Sequence, residues 1–176
     1  MNPDDVKAWL RERGAETIEH PGGTLYAHLA RVHERLADLG HGPDVCLAGL
    51  AHAAYGTDGF DRILLDPADR EPLRALVGER AEHLVHVYGG CDRSRTWDGF
   101  GESRQVVDRW SGQATVLPDE LATGFADLSI VNELDVSEQD RGIAQRHGAY
   151  FRRVFGSWRG VASDRVLAEM DRVLGR

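Results

Sequence analysis

The sequence predicts a mainly α protein: one helical domain over residues 1–176, with six to eight helices and a small β-hairpin near 104–117. Three observations predict it. Apolar residues recur three and four positions apart through most of the chain, as in Leu25, Leu29, Val32 and Leu36, which is the period of a helix with one buried face. Capping and breaking residues punctuate these stretches at Thr24, Gly40, Pro43, Gly56, Gly78, Pro118 and Ser163. A chain of 176 residues with a 41% apolar share can bury a core large enough to need no disulfide or structural metal.

The elements follow in order. Asp4 to Arg13 reads as a short helix closed by Gly14, and His20-Pro21-Gly22-Gly23 as a turn. Thr24 caps a helix carrying the Leu25–Leu36 stripe. From Asp44 to Tyr55 nearly every residue is apolar, so this helix, with Pro43 in its first turn and Gly56 after its end, belongs inside the protein. Asp66-Pro67 and Pro72 mark further helix starts. Leu73, Leu76 and Val77 form one short face, Gly78 interrupts it, and Ala81, Leu84, Val85 and Tyr88 form the next. Residues 89 to 103, rich in Gly, Ser, Asp and Arg, read as a long loop of the kind that carries function. The hairpin runs from Arg104 to Trp110 and from Ala114 to Leu117, around Ser111-Gly112-Gln113. Helices are then expected from Pro118-Asp119 to Leu134 and from Glu138 to Phe155, followed by a last one capped by Ser163 and bearing Val166, Leu167, Met170, Val173 and Leu174.

Composition narrows the function. A formal charge of −8, from 29 acidic and 21 basic residues, repels phosphate backbones and anionic bilayers, so neither nucleic acid nor membrane is an expected partner. Lys7 is the sole lysine, which removes lysine from nearly all catalytic roles. Cys46 and Cys91 make neither a CxxC nor a paired framework. No apolar run approaches the ~18 residues that span a bilayer, and Met-Asn-Pro-Asp-Asp does not begin a signal peptide. A cytoplasmic protein is expected. No P-loop, GxGxxG, GxSxG or HExxH motif occurs.

The polar residues on apolar faces are the chemical candidates. His28 lies ~70° from the centre of its helix's apolar stripe, at the edge of the core, and His33 lies about as far on the other side. His52 stands in the greasy Asp44–Tyr55 segment, where an imidazole must find a hydrogen-bond partner or a metal. Asp127 borders the stripe Leu121, Phe125, Leu128, Val131, and Asn132 falls near its centre. Glu82 sits at the edge of the Ala81–Tyr88 face. His83 and His86 point away from that face, and His20, His41 and His147 belong to turns or polar stretches.

Together these positions resemble the HD superfamily. His28 in His-Leu-Ala-Arg-Val-His stands for the first histidine. His52 in Leu-Ala-Gly-Leu-Ala-His-Ala-Ala-Tyr-Gly-Thr stands for the histidine of the His-Asp pair, and Asp127 in Phe-Ala-Asp-Leu-Ser-Ile-Val-Asn for the closing aspartate. The same strings resemble an uncharacterised HD-like family that also lacks the paired aspartate. The resemblance covers roughly residues 20 to 155 and departs at Ala53, which occupies the position of the HD aspartate. It implies a helical fold and a degenerate site holding one divalent ion, iron or manganese, through His28, His52 and Asp127, with Glu82 or Asp58 as a further ligand; a site that has lost its metal is the other outcome. The implied activity is metal-dependent hydrolysis of a phosphoester in a small molecule. Oxygenation by non-haem iron at the same residues is an alternative. A non-catalytic small-molecule-binding or regulatory domain is another, with Tyr55, Thr57 and Asn132 lining the pocket. Metal-free catalysis with His28 or His52 as general base is a lesser alternative. Arg93 and Arg95 could meet a phosphate, and Trp158 and Phe155 near the C-terminus could serve a homodimer.

Overall fold

The computed structural model describes residues 1–175, and among them nine helices and two two-stranded antiparallel sheets form, in two compact units, Met1–Gly90 and Cys91–Arg176.

In the first unit, α1 (Pro3–Glu12) starts at Asn2, whose side chain accepts the Asp4 N–H, and buries Val6 and Leu10. Strands β1 (Glu19–His20) and β2 (Gly23–Thr24) turn the expected His-Pro-Gly-Gly bend into a tiny hairpin. Thr24 accepts the Ala27 N–H at 3.2 Å and so caps α2 (Leu25–Asp38). Next come α3 (Pro43–Ala51), α4 (Glu71–Val77) and α5 (Glu79–Gly90). Being apolar on all sides, α3 takes the middle, with α1, α2, α4 and α5 packed around it. Gly49 leaves room for α2: a Cβ there would stand 2.4 Å from Leu36 Cδ1. Gly78, at φ +89°, separates α4 from α5 as expected.

Two expectations for this unit are corrected. The buried Asp44–Tyr55 segment is not one helix. It leaves α-helical pairing after Ala51 and tightens into turns, with Ala54 N–H bonded to the Ala51 carbonyl and Gly56 N–H to that of Ala53. Ala54's own carbonyl accepts from both Leu64 and Leu65. Tertiary hydrogen bonds thus replace helical ones, while burial, which apolarity does report, persists through Gly56. Asp66-Pro67 starts no helix either: Asp66 accepts the Ala68 and Asp69 N–H groups and closes a turn.

In the second unit, α6 (Arg93–Ser103) leads into β3 (Gln105–Val107) and β4 (Ala114–Val116), the expected hairpin, then α7 (Asp119–Gln139), α8 (Arg141–Gly156) and α9 (Asp164–Leu174). The last three pack pairwise against one another. Asp140, whose side chain caps α8 through the Gly142 and Ile143 N–H groups, sets the α7–α8 boundary, so α7 runs on to Gln139 where Leu134 was the expected end and α8 starts at Arg141 where Glu138 was the expected start.

The expected loop at 89–103 is instead largely helix α6. Asp92 accepts the Arg95 N–H at 3.1 Å as its cap, and Thr96, Trp97 and Phe100 are buried on one face. Its glycines had suggested a loop, but Gly101 serves packing, since a Cβ there would lie 2.3 Å from the Ser157 carbonyl oxygen. Trp97, Phe100, Phe125, Phe155 and Trp158 form an aromatic core, and the Trp158 indole N–H donates to the Trp97 carbonyl at 3.1 Å. Trp158 and Phe155 are both 0% exposed, so the homodimer expectation loses the residues that suggested it. Among the described residues, no helix is long and apolar enough to cross a membrane.

A buried histidine pair as candidate functional site

The cap at Thr24 sets the phase of α2, turning Leu25, Leu29, Val32 and Leu36 into the first unit and His28 with them. His52, the residue at which α3 ends, comes to meet it. The two Nε2 atoms stand 3.3 Å apart, and the side chains are 1% and 2% exposed. The rings meet edge to face, 84° apart, with centroids at 5.1 Å.

The tautomer of His52 follows from its other nitrogen. Nδ1 lies 2.8 Å from the Gly49 carbonyl oxygen, and a carbonyl only accepts, so Nδ1 carries the proton. In a neutral ring Nε2 of His52 is then a lone pair aimed at His28. A metal-binding histidine is oriented by this same kind of contact through its distal N–H. Two imidazole nitrogens each ~2.1 Å from one ion at a tetrahedral angle stand ~3.4 Å apart. The His28–His52 separation therefore suits either a hydrogen bond between the rings or two adjacent positions on one metal ion.

Three more rings surround the pair. Tyr88 of α5 stands edge-on to His52 at 5.2 Å. His20 of β1 stacks on His28 at 4.1 Å, and Phe60 meets His20 edge-on at 5.4 Å. Sequence reasoning placed His20 in a bland turn. Its signal was the Pro21-Gly22-Gly23 run, which folds β1 back along the start of α2. Tyr88 was legible as part of the α5 apolar face. His33, the other edge histidine of α2, instead bonds through Nδ1 to the Cys46 carbonyl at 2.8 Å.

Glu82 is fully buried, but it is already engaged. Arg70 grips it in bidentate fashion, Nε to Oε1 at 2.7 Å and a terminal nitrogen to Oε2 at 2.6 Å, and the Tyr55 hydroxyl donates to Oε1 at 2.8 Å. Burial alone pushes this carboxyl up; the hydrogen bonds from Arg70 and Tyr55, with Arg70's charge, more than reverse that and hold it below the ordinary carboxylate range. Burial, reinforced by Glu82, pushes the Tyr55 phenol well above its usual range. Glu82 is thus ion-paired with Arg70 and hydrogen-bonded by Tyr55, and neither the ligand role expected of Glu82 nor the pocket-lining role expected of Tyr55 fits that arrangement. Thr57 exchanges backbone hydrogen bonds with Phe60 at 3.0 and 2.9 Å, closing the turn that presents the Phe60 ring.

Asp127 and Asn132 lie on α7, in the second unit. Asp127 is buried, and its Oδ1 accepts the Ser163 N–H at 2.9 Å, just before α9 begins. Asn132 donates through Nδ2 to Glu133 Oε1 at 3.0 Å, the oxygen that Arg93 also holds at 2.9 Å. Arg93, expected as a loop arginine for phosphate, is instead a helix residue paired with Glu133 and lying over the Trp97 ring at 4.9 Å. Among the described residues, no group of three or more His, Cys, Asp and Glu side chains is placed to hold a metal ion.

A family model described as a domain of unknown function (DUF6817) matches residues 9–93, which include His28, His52, Tyr55 and Glu82. No curated protein and no solved structure matches the chain.

Proposed function

We propose that His28 and His52 are the protein ligands of one divalent transition-metal ion, and that the chain is a metal-dependent enzyme hydrolysing a phosphoester in a small molecule. The observation that carries the metal is the 3.3 Å approach of two buried Nε2 atoms, with His52 fixed in orientation by the Gly49 carbonyl. Imidazole pairs of this kind suit iron, manganese or zinc, and two protein ligands leave positions open for water and substrate. When bound, the ion supplies Lewis acidity and lowers the pKa of a coordinated water.

The chain's own residues then have separate tasks. His28 and His52 hold the ion, and the Gly49 carbonyl keeps the His52 proton on Nδ1. Tyr88 and His20 wall the pair with ring faces and edges, which limits bulk water around it. The HD-like order of His28, His52 and Asp127 supports hydrolysis as the reaction.

The test is metal analysis of protein purified under low oxygen without chelators, beside His28→Ala, His52→Ala and the exposed control His83→Ala. About one ion per chain in the native protein and the control, lost in both site variants with helical content unchanged, supports the reading. Metal-dependent release of phosphate from a panel of small phosphoesters supports the reaction. Native protein that stays metal-free after challenge with iron, manganese and zinc refutes the metal centre. So does a metal content that survives both substitutions.

A further inference from the structure

The histidine pair is sealed from solvent, His28 at 1% and His52 at 2% exposure. An ion or a substrate reaches two such nitrogens only if part of their surroundings moves. The rings around the pair differ in how readily they do so. Tyr88 is 3% exposed and fixed on α5, which packs against both α3 and α4. His20 and Phe60 are half-buried, and each is carried by a short segment. Strand β1 is held to β2 over two residue pairs, Glu19 with Thr24 and His20 with Gly23. The Thr57–Phe60 turn closes on itself through two backbone hydrogen bonds, with Gly56, at φ +72°, before it and Gly59, at φ +88°, within it.

The contacts give these two rings different parts. His20 lies on His28 with ring centroids 4.1 Å apart and planes inclined by 25°, so it covers one face of that imidazole. Phe60, from a different segment of the chain, meets His20 edge-on at 5.4 Å with the planes 76° apart. Segments held by so few backbone bonds open locally at lower free energy than the helices around them.

We propose that His20 is a plug on the histidine pair and Phe60 its latch: movement of the Thr57–Phe60 turn releases His20, and the His28 and His52 nitrogens then become accessible to an ion or small molecule. What passes the gate rests on the metal reading above; the opening itself is measurable without metal.

The test follows acylation of each histidine by diethyl pyrocarbonate, read by mass spectrometry, in the full chain kept free of metal with a chelator. Where opening and closing outpace reaction, the rate at a buried group follows the population of the open form. Loss of one edge-to-face ring contact raises that population by roughly threefold to tenfold. Phe60→Ala should therefore speed acylation at His28 and His52 by that factor, and Phe60→Leu, which keeps an apolar side chain without the ring, by less. His83, exposed on α5, and His33, bonded to the Cys46 carbonyl, should keep their rates. In chelator-free samples, cobalt(II) uptake followed by its visible absorption should quicken by the same factor in Phe60→Ala, with the final amount per chain unchanged. Unaltered rates at His28 and His52, or an equal rise at His33 that marks loosening of the whole unit, overturns the gate. Failure of the native protein to take up cobalt counts against the metal centre alone, and the acylation rates decide the gate in either case.

Discussion

Removing Arg70 gives the sharpest test of how the first unit is held together. Glu82 is fully buried, and Arg70 supplies two of the three short hydrogen bonds to its carboxylate. Arg70→Ala therefore leaves a buried charge with the Tyr55 hydroxyl and Arg74, whose Nε stands 3.8 Å from Oε2. Deleting one partner of a fully buried pair costs ~3–5 kcal/mol; with Arg70 partly exposed and Arg74 at hand, about 2–4 kcal/mol is expected. The pH dependence follows from the sign of each shift. In the native protein the carboxyl is held low, so its contribution is present above the unfolded value of ~4.3 and lost as pH falls through the folded one. Without Arg70, burial dominates and raises the carboxyl. The variant is then penalised least below ~4.3, and the penalty grows as pH rises through the raised folded value. Urea unfolding followed by circular dichroism at pH 4.5 and pH 7 measures both. The double variant Arg70→Ala with Glu82→Gln should recover part of the loss at pH 7, because the stranded charge is gone. A penalty at pH 7 below ~0.5 kcal/mol, the value of a surface pair, or one that fails to shrink in acid, refutes the reasoning.

Three further outcomes are expected. Gly101→Ala should destabilise by ~1–3 kcal/mol in thermal or urea unfolding, because the new Cβ would meet the Ser157 backbone at 2.3 Å; an exposed helical glycine would show the opposite sign. Asp92→Ala should cost ~1 kcal/mol through loss of the α6 cap, seen as a lower urea midpoint with an unchanged slope. Asp127→Ala should speed hydrogen exchange at the Ser163 amide, whose acceptor it removes; unchanged protection there would show that the bond contributes nothing to anchoring α9.

Much of the fold was readable because helices announce themselves locally. The stripe Leu25–Leu36 with Thr24 before it, the Gly78 break and the hairpin after Arg104 each depend on residues within a turn or two of one another. The misreadings share one cause. Glycine at 99 and 101 looks like a loop signal, and an unbroken apolar run looks like a helix, unless one knows what lies opposite. Gly101 faces the Ser157 carbonyl, and the Ala54 carbonyl accepts from the returning chain at Leu64 and Leu65.

The candidate site divides the same way. Helical phase and the need to satisfy a buried imidazole singled out His28 and His52 in the chain itself. That their Nε2 atoms meet, that His20 stacks on one of them, and that Glu82 is claimed by Arg70 depend on backbone paths joining residues 8 to 24 positions apart. Periodicity records which side of a helix avoids water. It carries no record of which buried side chain stands across from which, because that pairing is set by the packing of whole elements.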